Sequence, residues 1–347
     1  DNYYPFCYYN RGMSPSLAIN ARYQVRRITG VDRYAHEIAK RLTLLKRFIN
    51  PSHPLGQVSG HVWEQFSLPS HIQRNELLWS PANAGPWSVT RQVLTIHDAS
   101  VFDHPAWFRP AFAAWTRLSW KILARRVKAI ITVSKFSKQR LKHHLGIPDE
   151  KIHVIYNGVG DPFEPQPTKC IKNVKEKLGI RKPYFLFVGT IEPRKNLNHL
   201  LEAWEQANIS SHDLFLAGTE GNVFPISEKQ LALSSHIPDE DLPSLYAGAT
   251  AFVFPSLYEG FGLPVLEAMA CGTPVITSNT TALAEIFSDA ALLVAPEKPV
   301  EIKRAMQTLL EDKSLAGNLR EQGLRKANRL SWETSAVRTQ SLFESLI

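Results

Sequence analysis

The chain has 347 residues, which is enough for two domains that each bury a core of their own. No apolar run approaches the roughly 20 residues that a membrane-spanning helix needs, so we expect a soluble protein. The three cysteines, Cys7, Cys170 and Cys271, are widely spaced and odd in number, which argues against a disulfide framework or a zinc site. Without a signal-peptide pattern at the N-terminus, a reducing cytoplasm fits best.

Charge is distributed unevenly along the chain. Residues 1–165 carry 22 Lys and Arg against 11 Asp and Glu, a net charge of +11; residues 166–347 carry 18 against 21, a net of −3, and the sum is +8. A basic first half suits a membrane surface, a lipid pyrophosphate or a nucleic acid, although a solvated face without a partner remains open. Because no RNA-binding motif or recognition helix is evident, we expect no nucleic-acid partner.

The first half begins with a predicted strand at Leu17–Asn20, followed by a turn at Gly30 and a helix. Apolar residues recur in that helix at helical spacing, which predicts one core-facing side. They are Val31, Tyr34, Ala35, Ile38 and Leu42.

A second predicted strand, Val93–Ile96, ends at His97 and Asp98. Adjacent residues of an extended chain point to opposite sides, so the two side chains are expected to do separate work. Asp98 is expected to hold the loop. His97 either faces a ligand or is a buried histidine whose hydrogen bonds are satisfied.

An aromatic and basic helix follows, in the stretch HPAWFRPAFAAWTRLSWKILARRVK. Phe112, Trp115 and Ile122 share one face, and the cations lie elsewhere. Such a helix could lie at a membrane interface. The preferred interpretation is a core helix whose basic residues face solvent.

The proline-rich stretch DPFEPQPTKC is typical of an interdomain linker and places the boundary near residue 165. Beyond it a strand ends at Gly189, and a helix is predicted from Leu197 to Ala207. Between them lie Arg194 and Lys195, an adjacent pair that suits a pyrophosphate because arginine donates forked hydrogen bonds and lysine supplies a mobile charge. Exposed surface charge is the alternative.

The stretch AFVFPSLYEGFGLPVLEAMACGTPVITS predicts a buried strand, a glycine loop, a short helix from Pro264 to Ala270 and a second strand. Glu259 and Glu267 lie eight positions apart, which on one continuous helix would separate them by about 12 Å. Gly260 and Gly262 can turn the chain at positive φ, and Pro264 suits the first helical turn.

This arrangement places Glu259 at the carboxyl end of a strand, where α/β sheets bind ligands. The amides of Phe261, Gly262 and Leu263 would point out of the helix start and favour an anion. Glu267 could accept two hydrogen bonds from a diol such as a ribose, or could simply be stabilised by the helix dipole.

The segment EGFGLPVLEAMACGTPVI resembles the signature of the retaining glycosyltransferases of family 4, and the resemblance extends from about Leu17 to the C-terminus. It implies an α/β protein with the GT-B fold: two Rossmann-like parallel-sheet domains facing a central cleft. Residues 1–165 would form the acceptor-side domain and residues 166–331 the nucleotide-sugar-binding domain, with helix 332–347 packing back on the first. Because the pattern begins just after Met13, we expect Met13 to be the natural start.

The resemblance also implies roles for single residues. Glu259 would bind hydroxyls of the transferred sugar and stabilise its oxocarbenium-like centre, and His97 would face that sugar. Asp32 stands where many relatives have a second glycine, so the resemblance does not imply close backbone contact at that position. The donor-binding residues would be Gly30, Gly189, Arg194, Lys195, Gly260, Phe261, Gly262, Leu263 and Glu267.

The implied activity is retaining transfer of a hexose to a glycan or a polyprenyl-pyrophosphate-linked acceptor in cell-surface polysaccharide synthesis, such as lipopolysaccharide. TGVDRYA and VGTIEPRKN look most like bacterial polysaccharide mannosyltransferases, so GDP-mannose is the favoured donor. No cofactor or metal is expected, and the enzyme would be cytoplasmic or peripheral on the inner membrane face through its basic first domain.

Several alternatives remain open. The donor could be a UDP-sugar, GDP-fucose or dTDP-rhamnose, and retention could use a double displacement or attack on the leaving-group face. A GT-B nucleotide-sugar epimerase would share the fold, and so would a sugar-binding subunit without activity. Alanine substitutions at Glu259, Arg194 and Lys195 are expected to abolish transfer but leave the fold stable, because all three are predicted on exposed loop ends.

Overall fold

The computed structural model describes residues 16–25, 29–218, 232–234 (backbone only) and 237–347. Met13 and Cys7 therefore lie outside the described residues. The chain divides into two compact units. The first runs to Val133 and includes Ser137–Ile155 and Glu333–Ile347, and the second comprises Ser134–Phe136 and Tyr156–Trp332.

The first unit contains a parallel six-stranded sheet in the order β2-β1-β3-β4-β5-β6. Nearly every residue of its four central strands is fully buried, as expected for a parallel sheet that is covered on both faces. The strands are β1 (Leu17–Asn20), β2 (Lys46–Ile49), β3 (Leu77–Ser80), β4 (Gln92–Thr95), β5 (Ala129–Thr132) and β6 (Ile152–Val154).

Helices connect these strands. They are α1 (Gly30–Arg41), α2 (Gln57–Val62), α3 (Leu68–Ser70), α4 (Ser100–Asp103), α5 (Pro110–Arg126) and α6 (Lys135–Leu145), with a π-helix at Trp63–Ser67 between α2 and α3. Short 3₁₀ turns lie at Arg22–Val25, Pro105–Trp107 and Asp149–Lys151.

Asp32 has a structural explanation. It is the third residue of α1, and its Oδ2 accepts hydrogen bonds from the Thr29 amide (3.0 Å) and hydroxyl (2.6 Å). The two residues form a capping box, which satisfies amides that the first helical turn leaves without partners. The Asp32 side chain therefore stabilises the first turn of the helix.

The core-facing side of α5 differs from the prediction. The helix exists, and Arg117, Lys121 and Arg125 are exposed as expected. Phe112, Trp115 and Ile122, however, are only partly buried. The buried face is formed instead by residues with the same helical spacing but a different phase: Ala113, Thr116, Trp120, Leu123 and Ala124.

The second unit repeats the architecture, with a parallel six-stranded sheet in the order β12-β11-β10-β7-β8-β9. Its strands are β7 (Tyr184–Val188), β8 (Asp213–Ala217), β9 (Ala232–Ser234), β10 (Ala251–Phe254), β11 (Val275–Ser278) and β12 (Leu292–Val294). Its helices are α7 (Thr168–Lys177), α8 (Leu197–Ala207), α9 (Leu242–Ala247), α10 (Leu263–Ala270), α11 (Thr281–Phe287), α12 (Pro299–Glu311) and α13 (Lys313–Arg329).

The last helix, α14 (Trp332–Glu344), belongs almost entirely to the first unit. Trp332, Ala336, Thr339 and Phe343 are all buried, as their helical spacing predicts. The Phe343 ring lies 5.5 Å from the ring of Trp79 in β3. Within the described part of the chain, no helix is both long and apolar enough to cross a bilayer.

Phe343→Ala is expected to lower the free energy of unfolding of the first unit by about 3–5 kcal/mol, because it removes a fully buried aromatic side chain and leaves a cavity. Chemical denaturation followed by tryptophan fluorescence measures the change. The control is Val337→Ala on the exposed side of the same helix, which should stay within about 0.5 kcal/mol of wild type. Equal effects of the two substitutions would contradict the packing of α14.

Candidate active site

The candidate site lies in the second unit, where two neighbouring parallel strands end. The loop after β7 carries a 3₁₀ turn, Pro193–Lys195, and the loop after β10 carries Glu259. The two loops are joined because the Arg194 carbonyl accepts a hydrogen bond from the Leu257 amide at 2.7 Å. Strand pairing therefore brings together residues about 65 positions apart.

Glu259 is held by three donors. Its Oε1 accepts hydrogen bonds from Lys195 Nζ (2.6 Å) and Ser256 Oγ (2.8 Å), and its Oε2 accepts one from Arg194 Nη1 (3.0 Å). Arg194 also pairs through Nε with Glu192 at 2.6 Å. Lys195 and Glu259 are both buried, so this pairing exchanges the water around two charges for direct contacts.

The electrostatics of Glu259 follow from these contacts. Burial alone would raise its pKa, but the charges of Lys195 and Arg194, with hydrogen bonds from Lys195 and Ser256, lower it from its ordinary value of 4.5 to about 2. Burial and the neighbouring Arg194 lower the pKa of Lys195, and Glu259 opposes that shift. The Glu259 side chain is therefore a carboxylate at any physiological pH.

Glu259 has a pairing function, which its local sequence does not reveal. One sequence-based expectation about these residues is wrong. Lys195 and Glu259 do not lie on exposed loop ends, because both are less than one-tenth exposed. Their alanine variants would leave a buried charge without its partner, which costs about 3–5 kcal/mol.

The start of α10 forms the next part of the site. Gly262 precedes the helix with φ of 107°, and a Cβ there would lie 2.6 Å from Leu283 Cδ2, so only glycine fits. Gly260 and Phe261 are buried beside it. The helix thus starts next to the Glu259 cluster, with the amides of Phe261 to Leu263 at its first turn.

Glu267 lies on α10, one turn from the helix start, and is buried. Its Oε2 accepts a hydrogen bond from the hydroxyl of Tyr246 in α9, at 3.2 Å. Tyr246 is fully buried, so its hydroxyl restricts the orientation of the Glu267 carboxylate. This tyrosine lies 21 positions upstream, outside any motif that the sequence displays.

Another residue that sequence analysis did not identify is Gly218, at the end of β8. A Cβ on Gly218 would lie 1.9 Å from the carbonyl oxygen of Gly189, which follows β7. The Gly189 amide donates to the Ala217 carbonyl at 2.9 Å, which fixes the two chains in contact. Gly218 is therefore required for the position of the Gly189 loop.

The remaining predicted site residues, Gly30 and His97, belong to the first unit. Gly30 is exposed at the start of α1. His97 is buried, its Nε2 lies 3.0 Å from the Pro81 carbonyl, and its ring packs edge-on against Tyr34 at 4.7 Å. Burial lowers its pKa, so the ring is neutral near pH 7. Asp98 holds the loop as expected, because its Oδ1 accepts from the Ser100 amide and hydroxyl.

No group of three or more His, Cys, Asp or Glu side chains that could hold a metal ion occurs among the residues that the structure describes. The sequence has an Asp-x-Asp at Asp239–Asp241, just before α9. Asp241 pairs there with Lys177 at 2.5 Å, which gives it a structural partner.

Comparisons with known proteins agree with this geometry. The family described as "Glycosyl transferases group 1" matches residues 171–326, which contain the whole Glu259 cluster. The family described as "Glycosyltransferase Family 4" matches residues 61–161. The two matches thus cover parts of both units.

Similar proteins include two from Escherichia coli. O-antigen chain mannosyltransferase B is 32% identical over 75% of this chain and 72% of the relative. Serotype-specific mannosyltransferase WbdA is 29% identical over 61% of this chain, but the match spans only 28% of that longer protein.

Among solved structures, Anabaena Alr3699/HepE in complex with UDP and glucose superposes with a TM-score of 0.76 at 16% identity, covering 96% of this chain and 100% of that one. At this level of identity the likeness establishes the fold. Together with the identity to the first relative, it shows that the chain is a glycosyltransferase that belongs to family 4 and has the GT-B fold.

Proposed function

We propose that the protein transfers mannose from GDP-mannose to a glycan or lipid-linked acceptor in the synthesis of a cell-surface polysaccharide. The observation that carries this proposal is the meeting of Glu259, Arg194 and Lys195 beside the start of α10. The mannosyltransferase names of the relatives support the choice of sugar. The names of these relatives give no comparable support to the UDP-sugar, GDP-fucose and dTDP-rhamnose alternatives.

In this proposal Arg194 and Lys195 bind the diphosphate of the donor, together with the amides at the start of α10. Cleavage of a sugar–phosphate bond builds negative charge on the leaving diphosphate, and fixed cations and amides stabilise that charge without reorganising. These groups would take the place of a metal ion, so we propose a metal-independent reaction. Gly189 would let the backbone approach the donor closely.

Glu259 would bind sugar hydroxyls and stabilise the positive charge that develops at the sugar carbon. Before the donor binds, its carboxylate is neutralised by Arg194 and Lys195. An incoming diphosphate would compete for the same cations. The negative charge of Glu259 would then be less compensated by Arg194 and Lys195 and would interact more strongly with the sugar. Tyr246 would hold Glu267 ready for the ribose hydroxyls. We propose that the configuration at the sugar carbon is retained, either by a double displacement or by attack on the leaving-group face.

His97 and Gly30 would contribute from the first unit, His97 facing the sugar through its remaining ring nitrogen. The acceptor would be bound by this unit, which carries most of the positive charge. A polyprenyl-pyrophosphate-linked glycan fits that charge, and we propose a peripheral location on the inner face of the cytoplasmic membrane.

Arg194→Gln tests the role of the cation pair. It is expected to lower kcat/KM for mannosyl transfer about 10²-fold, because one fixed donor to the leaving group is lost. Arg194 is partly exposed, so the variant should fold. The matched control is Arg304→Gln on the exposed side of α12, which should transfer at the wild-type rate. Wild-type activity in Arg194→Gln would contradict the assignment.

Glu259→Gln tests the charge state of the cluster. Because folding lowers the pKa of Glu259 from 4.5 to about 2, the ionised carboxylate stabilises the fold above pH 4.5, and this contribution is lost as the pH falls toward 2. The free energy of unfolding, measured with a denaturant, should therefore fall more steeply over that pH interval for the wild type than for Glu259→Gln. Parallel stability curves for the two proteins would show that Glu259 is not ion-paired in solution.

Donor identity can be tested by thermal stabilisation. A donor at 100 times its Kd stabilises the folded protein by about 2.7 kcal/mol, which raises Tm. GDP-mannose is expected to give the largest shift among GDP-mannose, GDP-fucose, UDP-glucose and dTDP-rhamnose, and Arg194→Gln should lose most of it. A larger shift with a UDP-sugar would refute mannose while leaving the transferase assignment intact.

A further inference from the structure

Exposed apolar side chains are concentrated on one part of the first unit. Among the described residues, eight large apolar side chains are exposed, and four of these lie on two helical segments. Val58 and Val62 lie on α2, Phe66 on the π-helix that continues it, and Leu118 on α5. Val58 and Phe66 are each 77% exposed. Covering apolar side chains that are this exposed to water is expected to lower the free energy, so such a surface indicates a binding site.

The two segments lie side by side. The rings of His61 in α2 and Trp115 in α5 are 5.7 Å apart, and Trp115 stacks on Trp87 at 5.1 Å. The Trp87 amide donates to Gln65 Oε1 at 2.9 Å, which ties the π-helix to the same row of rings. Val62 follows His61 directly and Leu118 lies one turn after Trp115, so the exposed apolar groups lie on two segments that are in contact through these rings.

The part of the chain that contains Leu118 is basic. Residues 104–148 contain ten Lys and Arg and no Asp or Glu. Of these cations, Arg117, Lys121 and Arg125 are exposed on α5 itself. The four acidic residues between positions 38 and 148 all bond within the protein, and none is exposed: Glu64 to Arg22, Glu76 to Arg47, Asp98 to Ser100 and Asp103 to Arg140.

We propose that this surface, the docking face defined by Val58, Val62, Phe66 and Leu118 with Arg117, Lys121 and Arg125, binds an anionic lipid bilayer. The apolar side chains enter the boundary between headgroups and acyl chains, and the cations contact lipid phosphates. A nucleic acid would match the charge but would leave the aliphatic side chains in water. The inference rests on the proposed function in one respect: binding to the bilayer would bring the enzyme to a membrane-bound acceptor.

Vesicle sedimentation of the full chain tests this assignment. The protein is expected to bind phosphatidylcholine vesicles that contain about one-third phosphatidylglycerol, to bind pure phosphatidylcholine weakly, and to dissociate as salt rises. Val58→Ser with Phe66→Ser should weaken binding at least about tenfold, because two large apolar side chains no longer enter the interface. Both positions are exposed, so the double variant should fold.

Val337→Ser is the matched control, because Val337 is an exposed apolar residue of the same unit on α14. It should bind anionic vesicles as wild type does, and Lys121→Gln with Arg125→Gln should reduce the salt dependence. Wild-type binding by the Val58 and Phe66 variant, or equal binding to uncharged vesicles, would overturn the proposal. Loss of a dimer or of oligonucleotide binding in that variant, without loss of vesicle binding, would also overturn it. Transfer to a water-soluble acceptor should be unchanged in the variant, so failure of docking and failure of catalysis are distinguishable.

Discussion

A buried carboxylate shared between two cations determines how the second unit is built. Glu259 could not remain ionised away from water without Lys195, Arg194 and Ser256, and Lys195 could not remain charged without Glu259. The loops after β7 and β10 are therefore locked together before any substrate arrives. In the proposed function, this arrangement preorganises charge where a diphosphate would bind, at the carboxyl edge of a parallel sheet. Stability and the proposed chemistry would then depend on the same few atoms.

The residues of the candidate site could be proposed from the sequence, but their contacts could not. Glycines, a proline and two glutamates at fixed spacing indicate a loop and a helix start, and Arg194 with Lys195 indicates anion binding. The pairing of Glu259 with both cations depends on β10 lying next to β7, although β8 and β9 intervene in the chain. The pattern of residues that are close together in the sequence does not show which strand lies next to β10 in the sheet. For the same reason the hydroxyl of Tyr246 on Glu267 had no signal in the sequence.

The fold was predicted more completely, because buried strands and amphipathic helices are local features. The alternation of strands and helices, the GT-B class and the buried face of α14 all agree with the expectation. The exception is α5, where Phe112, Trp115 and Ile122 repeat as regularly as the residues that are buried. Hydrophobic periodicity predicts that a helix has an apolar face. It does not show which of two apolar faces of the same helix packs against the core. Ala113 and Ala124 pack in the buried cluster that includes Leu94 and Ile130 of the sheet, whereas Phe112 and Trp115 remain only partly buried.

The contact between Gly189 and Gly218 has an implication for how this enzyme could change its substrate over evolution. Because the backbone of Gly218 packs against the backbone of Gly189, no side chain lies between the two segments whose size or charge a mutation could change. New preferences must therefore be acquired around the rim, in segments free to vary in length and composition. Related enzymes should keep a glycine at the position of Gly218 even where the sugars that they transfer differ.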